Sequence, residues 1–156
     1  MLEVRALAFG YGGNPVQHDV SFDVKKGSIF AIMGASGCGK STLLKTLVGL
    51  LRPTAGTVRI DSQDYWSMED AQRKEFGRRI GVLFQGGALW SSMTAAQNVA
   101  LPLQMYTKLT DTSINELVKL KLALVGLASG WASMPADLSG GMRQRVGLAR
   151  AMSLDP

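Results

Sequence analysis

Apolar and polar residues alternate over residues 2–9 and again over 16–24, with YGGNP at 11–15 between them. The pattern predicts an antiparallel strand pair at a sheet edge. Lys26 and Gly27 then turn the chain into SIFAIM at 28–33, a continuous apolar run of the kind found in strands covered on both faces. A helix is predicted over 40–50, closed by RPTAG, and a short strand over 57–60 runs into the turn DSQD. The polar stretch 68–79 predicts a helix, and 80–84 is a second continuous apolar run. From 94 to 127 the period becomes helical. Ser113 with Glu116 reads as a capping box, and Leu117, Leu120, Leu124 and Leu127 as the buried stripe. After a proline-containing loop at 131–137, Ser139 is placed to cap a final helix. No repeat, low-complexity tract or linker interrupts the chain.

Two segments carry chemistry. GASGCGKST at 34–42 fits G-x-x-x-x-G-K-[ST] through Gly34, Gly39, Lys40 and Ser41. Glycines let the backbone curl so that successive amides face phosphate oxygens, and the following helix start adds positive potential. Ser36, Gly37, Cys38 and Thr42 complete the expected lining. Lys40 supplies a mobile cation for the β- and γ-phosphates, and the Ser41 hydroxyl suits Mg²⁺, so ATP with Mg²⁺ is the expected ligand. Average residue usage gives this bare pattern by chance in roughly one such chain in two hundred. Cys38 reads as a small residue in a tolerant position, or more sharply as a thiol whose modification blocks nucleotide entry. The second segment is LSGGMRQR at 138–145. Ser139 offers a hydroxyl, while Gly140 and Gly141 expose amides at a helix start, where negative charge is favoured.

Length and composition bound the rest. The 156 residues fit one domain with a real core, and 46% hydrophobic with 19% charged residues is ordinary for a globular protein. A net charge of +5 suits anionic ligands but reads first as a solvated surface, and no block of like charge resembles a nucleic-acid arm. The apolar runs are far too short to span a bilayer, so a membrane role would come through a partner. A single cysteine excludes an internal disulfide and suits a reducing cytoplasm. His18, the only histidine, lies in an early strand and reads as structural.

The glycine loop, FQ at 84–85 and LSGGMRQR occur in the order seen in ABC-transporter ATPase subunits, which the whole chain resembles. The resemblance implies an α/β P-loop fold with an N-terminal antiparallel β subdomain and a helical subdomain, divided here as 1–84 (β-rich and phosphate-loop core), 85–137 (glutamine loop and helical subdomain) and 138–156 (signature helix). It implies a head-to-tail dimer with a second ATPase subunit, in which the Ser139, Gly140 and Gly141 corner of one copy caps the γ-phosphate of ATP held by the other. Tyr11 matches the aromatic that stacks on adenine. Gln85 matches the glutamine that touches Mg²⁺ and the attacking water and senses a transmembrane permease. The segment 84–103, FQGGALWSSMTAAQNVALPL, is similar to ATPases serving MCE-type phospholipid transport.

The family pattern continues after LDP with an apolar strand ending in Asp-Glu, where Asp helps place Mg²⁺ and Glu polarises water. No such pair occurs in these residues. VRID at 58–61 precedes Gln85 and lacks the glutamate, so it reads as a strand entering a turn. The expectation is a domain cut before a core strand, with an incomplete sheet, able to bind ATP with little or no turnover and marginally stable by itself. Other cargoes (amino acids, lipoproteins), a soluble ABC protein acting on ribosomes or DNA, a non-hydrolysing module and a phosphate-loop kinase are the competing readings. The compact stretch between Gln85 and Leu138 argues against the soluble ABC protein, and the LSGGMRQR segment argues against the kinase. The implied setting is the cytoplasmic face of the inner membrane, peripheral, touching the membrane only through the permease and without nucleic acid.

Overall fold

The Tyr11 and Asn14 pair closes a two-residue Gly12-Gly13 hairpin, and both glycines take positive φ (+59° and +81°). Left-handed backbone angles at both central positions give the turn the same right-handed twist as the strands it joins. A computed structural model describes residues 1–156. It consists of two compact units, Met1–Gly77 and Arg78–Pro156.

In the first unit, strand β1 (Leu2–Tyr11) pairs antiparallel with β2 (Asn14–Val24) on one side and β3 (Ala55–Ile60) on the other. The short β4 (Gln63–Asp64) extends the sheet to the order β2-β1-β3-β4. The hairpin therefore forms as expected, with β2 at the edge and β1 inside the sheet. Simple alternation fails within β1. Ala6 adopts φ +44°, and the register slips between Val4 and Leu7. The bulge brings Val4 and Leu7, three apart, together with Phe9 onto the buried face. Those three residues pack with Val58 and with Leu43 and Leu47 of helix α1 (Lys40–Leu47). Helix α2 (Asp70–Gly77) follows in the predicted place and buries Phe76.

SIFAIM corrects an expectation. Residues 28–33 join no sheet, Ile29 is fully exposed, and Met33 is 89% exposed. Phe30 only stacks on Phe22 at 5.0 Å between centroids. In the second unit 80–84 likewise forms no strand, and Leu83 is exposed. A strand covered on both faces needs hydrogen-bonding neighbours, and the four paired strands here are all antiparallel and lie elsewhere.

The second unit is a helical layer of α3 (Ala95–Tyr106), α4 (Asp111–Leu124) and α5 (Gly140–Ala151). Its core joins Val99 and Leu103 to Ile114, Val118, Leu122 and Val146. The predicted 94–127 helix is two helices. Thr94 caps the first through a capping box with Gln97, and Thr110 caps the second by accepting the Ser113 amide at 3.3 Å. Ser113 is thus the third residue of α4, not its cap, and the Ser113–Glu116 box does not form. The leucine stripe also shifts. Leu120 and Leu124 are more than half exposed, while Ile114, Val118, Lys121 and Leu122 face inward. Lys121 lies at 4% exposure and pairs with the exposed Asp155. Its stem covers apolar surface while its ammonium reaches a carboxylate.

Candidate functional site

The phosphate loop runs from Gly34 into the first turn of α1. Gly39 stands at the N-cap with φ +98°, and no side chain caps this end of the helix. A Cβ on Gly39 would sit 2.8 Å from Val16 Cγ1, so only glycine fits against β2 here. Gln17 of the same strand donates through Nε2 to the Cys38 carbonyl at 3.1 Å. Edge strand β2 therefore braces the loop from below. Ser36 and Gly37 form an exposed turn, and Ser41 is exposed on the first turn of α1 beside the half-buried Thr42.

Lys40 folds back over its own loop. Its Nζ donates to the Gly34 carbonyl at 2.8 Å and to the Ala35 carbonyl at 2.6 Å, and lies 3.7 Å from Cys38 Sγ. The ammonium thus rests on neutral carbonyls, and an anion entering the loop offers it a stronger charge-assisted partner. The uncapped amides at Gly39 and the positive end of α1 suit the same anion.

Tyr11 stands at the hairpin tip, 52% exposed. Lys45 of α1 donates to its hydroxyl at 3.3 Å, with Nζ 5.8 Å from the ring centroid. The hydrogen bond from Lys45, and next that from Thr42, hold the phenol below its ordinary ionisation range. The ring is an accessible flat surface fixed to the helix that carries Lys40 and Ser41.

In the second unit, Gln85 lies exposed at a turn closed by the Gly87 amide donating to the Phe84 carbonyl at 3.0 Å. Ser139 caps α5 as expected. Its Oγ accepts the Met142 amide at 3.2 Å, and Ser139, Gly140 and Gly141 all face solvent. The hydroxyl keeps a proton and a lone pair for another partner. Arg143 donates to the Leu138 carbonyl at 2.5 Å, and Leu138 is buried, so the residue before this corner is held through both its backbone and its side chain. His18 lies on the edge strand β2.

Sequence reasoning missed two features. One is Lys45 against Tyr11. The other is Arg150, which reaches across from α5 to the Gln85 turn and to Asn98, a residue buried completely in an otherwise apolar helix face. The amide inside the apolar stretch NVALPL was the available signal for the second.

The comparisons with known proteins agree with one another. A family model described as ABC transporter matches residues 17–156. The chain is 43% identical over 156 residues to the intermembrane phospholipid transport system ATP-binding protein MlaF of Haemophilus influenzae, covering 100% of this chain and 59% of that protein. It is 43% identical over 155 residues to the probable ribonucleotide transport ATP-binding protein mkl of Mycobacterium tuberculosis, covering 99% of this chain and 43% of that protein. Among solved structures, the ATP-binding cassette MJ0796, a dimer in a post-hydrolysis state bound to ADP and Pi, superposes with a TM-score of 0.91 at 30% identity, covering 100% of this chain and 71% of that one. The chain thus spans about half the length of the curated relatives it matches. A match running from residue 17 to residue 156, together with these likenesses, establishes that the chain belongs to the ABC transporter family, among its ATP-binding cassettes.

Proposed function

We propose that this chain binds ATP between two copies and serves a transporter whose energy comes from ATP hydrolysis. The observation that carries the reading is the solvent-facing Ser139-Gly140-Gly141 corner at the start of α5, in a chain that also holds a complete phosphate loop. Each is an anion-binding helix start. Gly34, Ser36, Gly37, Cys38 and Gly39 curl round the phosphates, Lys40 leaves its loop carbonyls for the β- and γ-oxygens, and Tyr11 stacks on the base. Ser139, Gly140 and Gly141 of the second copy cap the γ-phosphate.

The residues suit Mg²⁺. No cluster of three His, Cys, Asp or Glu side chains is present, so the ion would take oxygens from Ser41 and the phosphates. When bound, it neutralises charge on the phosphate chain. These 156 residues contain no Asp-Glu pair after an apolar strand, so they bind nucleotide with little turnover. Hydrolysis belongs to a protein that supplies that base.

Phospholipid is the cargo we favour. The support is the resemblance of 84–103 to lipid-transport ATPases and the likeness to a relative named for intermembrane phospholipid transport. The relative named for probable ribonucleotide transport marks the alternative. No helix is long and apolar enough to cross a membrane, so a permease subunit would carry the pathway. A cytoplasmic position against that permease follows from the same reading.

The test is light scattering of the full-length protein with and without Mg-ATP, beside Lys40→Ala. ATP-dependent pairing that Lys40→Ala abolishes supports the proposal, and pairing indifferent to both contradicts it. Co-purification with a permease, followed by labelled-phospholipid transfer, decides the cargo.

A further inference from the structure

Three residues in succession after Gln85 take left-handed backbone angles: Gly86 at φ +72°, Gly87 at +84° and Ala88 at +45°. The last is costly for a residue with a Cβ, and such strain persists only where surrounding structure over-determines it. The surrounding structure is explicit here. Arg150 of α5 donates through Nη2 to the Gly87 carbonyl at 2.8 Å and through Nη1 to the Ala88 carbonyl at 2.9 Å, and Nη1 lies 3.5 Å from Asn98 Oδ1. Asn98 of α3 accepts the Trp90 amide at 2.8 Å and returns Nδ2 to the Trp90 carbonyl at 3.1 Å. The backbone approach is equally tight. A Cβ on Gly147 would lie 2.8 Å from Gly87 Cα, and one on Gly87 would lie 2.4 Å from the Arg143 carbonyl oxygen.

We propose that Arg150, seated on Asn98, is a positioning residue that fixes the Gln85 turn to the signature helix, so that Gln85 and the Ser139 corner keep one geometry and respond to nucleotide together. The guanidinium suits this turn because its rigid planar fork presents Nη1 and Nη2 to two adjacent carbonyls at once. A lysine ammonium is a point charge on a flexible stem and lacks that fixed fork. The inference rests on the nucleotide reading above only for its second half; the fixing of the turn stands on the geometry alone.

Hydrogen exchange read by mass spectrometry on the full-length protein tests it, with Arg150→Met and Arg150→Lys beside wild type. Without nucleotide, Arg150→Met should speed exchange of the amides of residues 86–90 at least tenfold, while residues 95–106 and 111–124 stay within twofold. Arg150→Lys should fall between. With Mg-ATPγS, wild type should gain protection at 34–42, 85–90 and 139–144. Arg150→Met should keep protection at 34–42 and lose it at 85–90. Unchanged exchange at 86–90, or equal acceleration in all the helices, overturns the proposal, and so does full nucleotide protection of 85–90 in Arg150→Met. Absence of protection at 34–42 in wild type would instead sink the nucleotide reading, and the nucleotide-free comparison would then decide this one.

Discussion

Replacing Asn98 by alanine should destabilise the helical unit strongly, although Asn98 belongs to no sequence motif. The side chain is fully buried. Its Oδ1 accepts the Trp90 amide at 2.8 Å, and the two hydrogens of its Nδ2 are shared among the carbonyls of Trp90, Met93 and Thr94 at 3.0–3.1 Å. The Thr94 carbonyl keeps a second partner, the Asn98 amide at 2.9 Å. The Trp90 carbonyl likewise keeps the Met93 amide at 3.2 Å, so truncation strands two backbone groups, the Trp90 amide and the Met93 carbonyl. At roughly 1 kcal/mol or somewhat more for each unpaired group, Asn98→Ala should cost about 2–3 kcal/mol. Asn98→Asp keeps the acceptor toward Trp90 and Arg150 but loses both Nδ2 donors and turns a carboxylate oxygen toward the carbonyls, so its cost should be comparable. Urea denaturation of the full-length protein, followed by far-ultraviolet circular dichroism, measures both. A loss below about 1 kcal/mol for Asn98→Ala would refute the reasoning, since it would mean the stranded groups find water at no cost.

The corrected face of α4 gives a paired test. Leu122→Ala should cost about 3 kcal/mol, because Leu122 lies at 1% exposure, while Leu124→Ala, at 62% exposure, should change stability by less than about 0.5 kcal/mol. The reverse order in the same urea experiment would restore the stripe read from leucine spacing. Gly39→Ala should abolish nucleotide binding measured by calorimetry, because the added Cβ meets Val16 and the position needs φ +98°. Binding within threefold of wild type would contradict that. Lys45→Met should shift the ionisation of Tyr11 to higher pH, since the Lys45 hydrogen bond is the largest cause of its lowered value. Tyrosinate absorbance during alkaline titration reads the change, and an unmoved curve would show that the Lys45 contact does not form in solution.

Much of this structure was legible where the physics is local. Thr94 and Ser139 start helices because a hydroxyl can accept an amide three residues on, and the Gly12-Gly13 hairpin needs only two permissive residues. Gly34 to Thr42 and Ser139 to Gly141 were readable because their spacing is their chemistry. The Thr110 cap was equally available in sequence, yet Ser113 and Glu116 offered a stronger-looking pattern one turn later. Other features depended on distant groups. The bulge at Ala6 inverts the inward face of β1, and a pleat of period two has no means of announcing it. SIFAIM has the composition of a buried strand, but burial requires neighbours that the four paired strands do not provide. Arg150 meets the Gln85 turn across 62 and 63 positions of chain, a separation at which no local pattern marks the contact.

The central claim is that each ATP lies between the phosphate loop of one copy and the Ser139 corner of another. Mixed dimers of the full-length protein test it most directly, with Lys40→Ala and Ser139→Ala distributed in two ways. One substitution on each copy should leave one intact composite site and therefore ATP-stabilised dimers at up to half the wild-type nucleotide content. Both substitutions on one copy, paired with a wild-type copy, should leave none. If the doubly substituted pairing holds nucleotide and the singly substituted pairing does not, each copy builds its site from its own residues and the account is wrong.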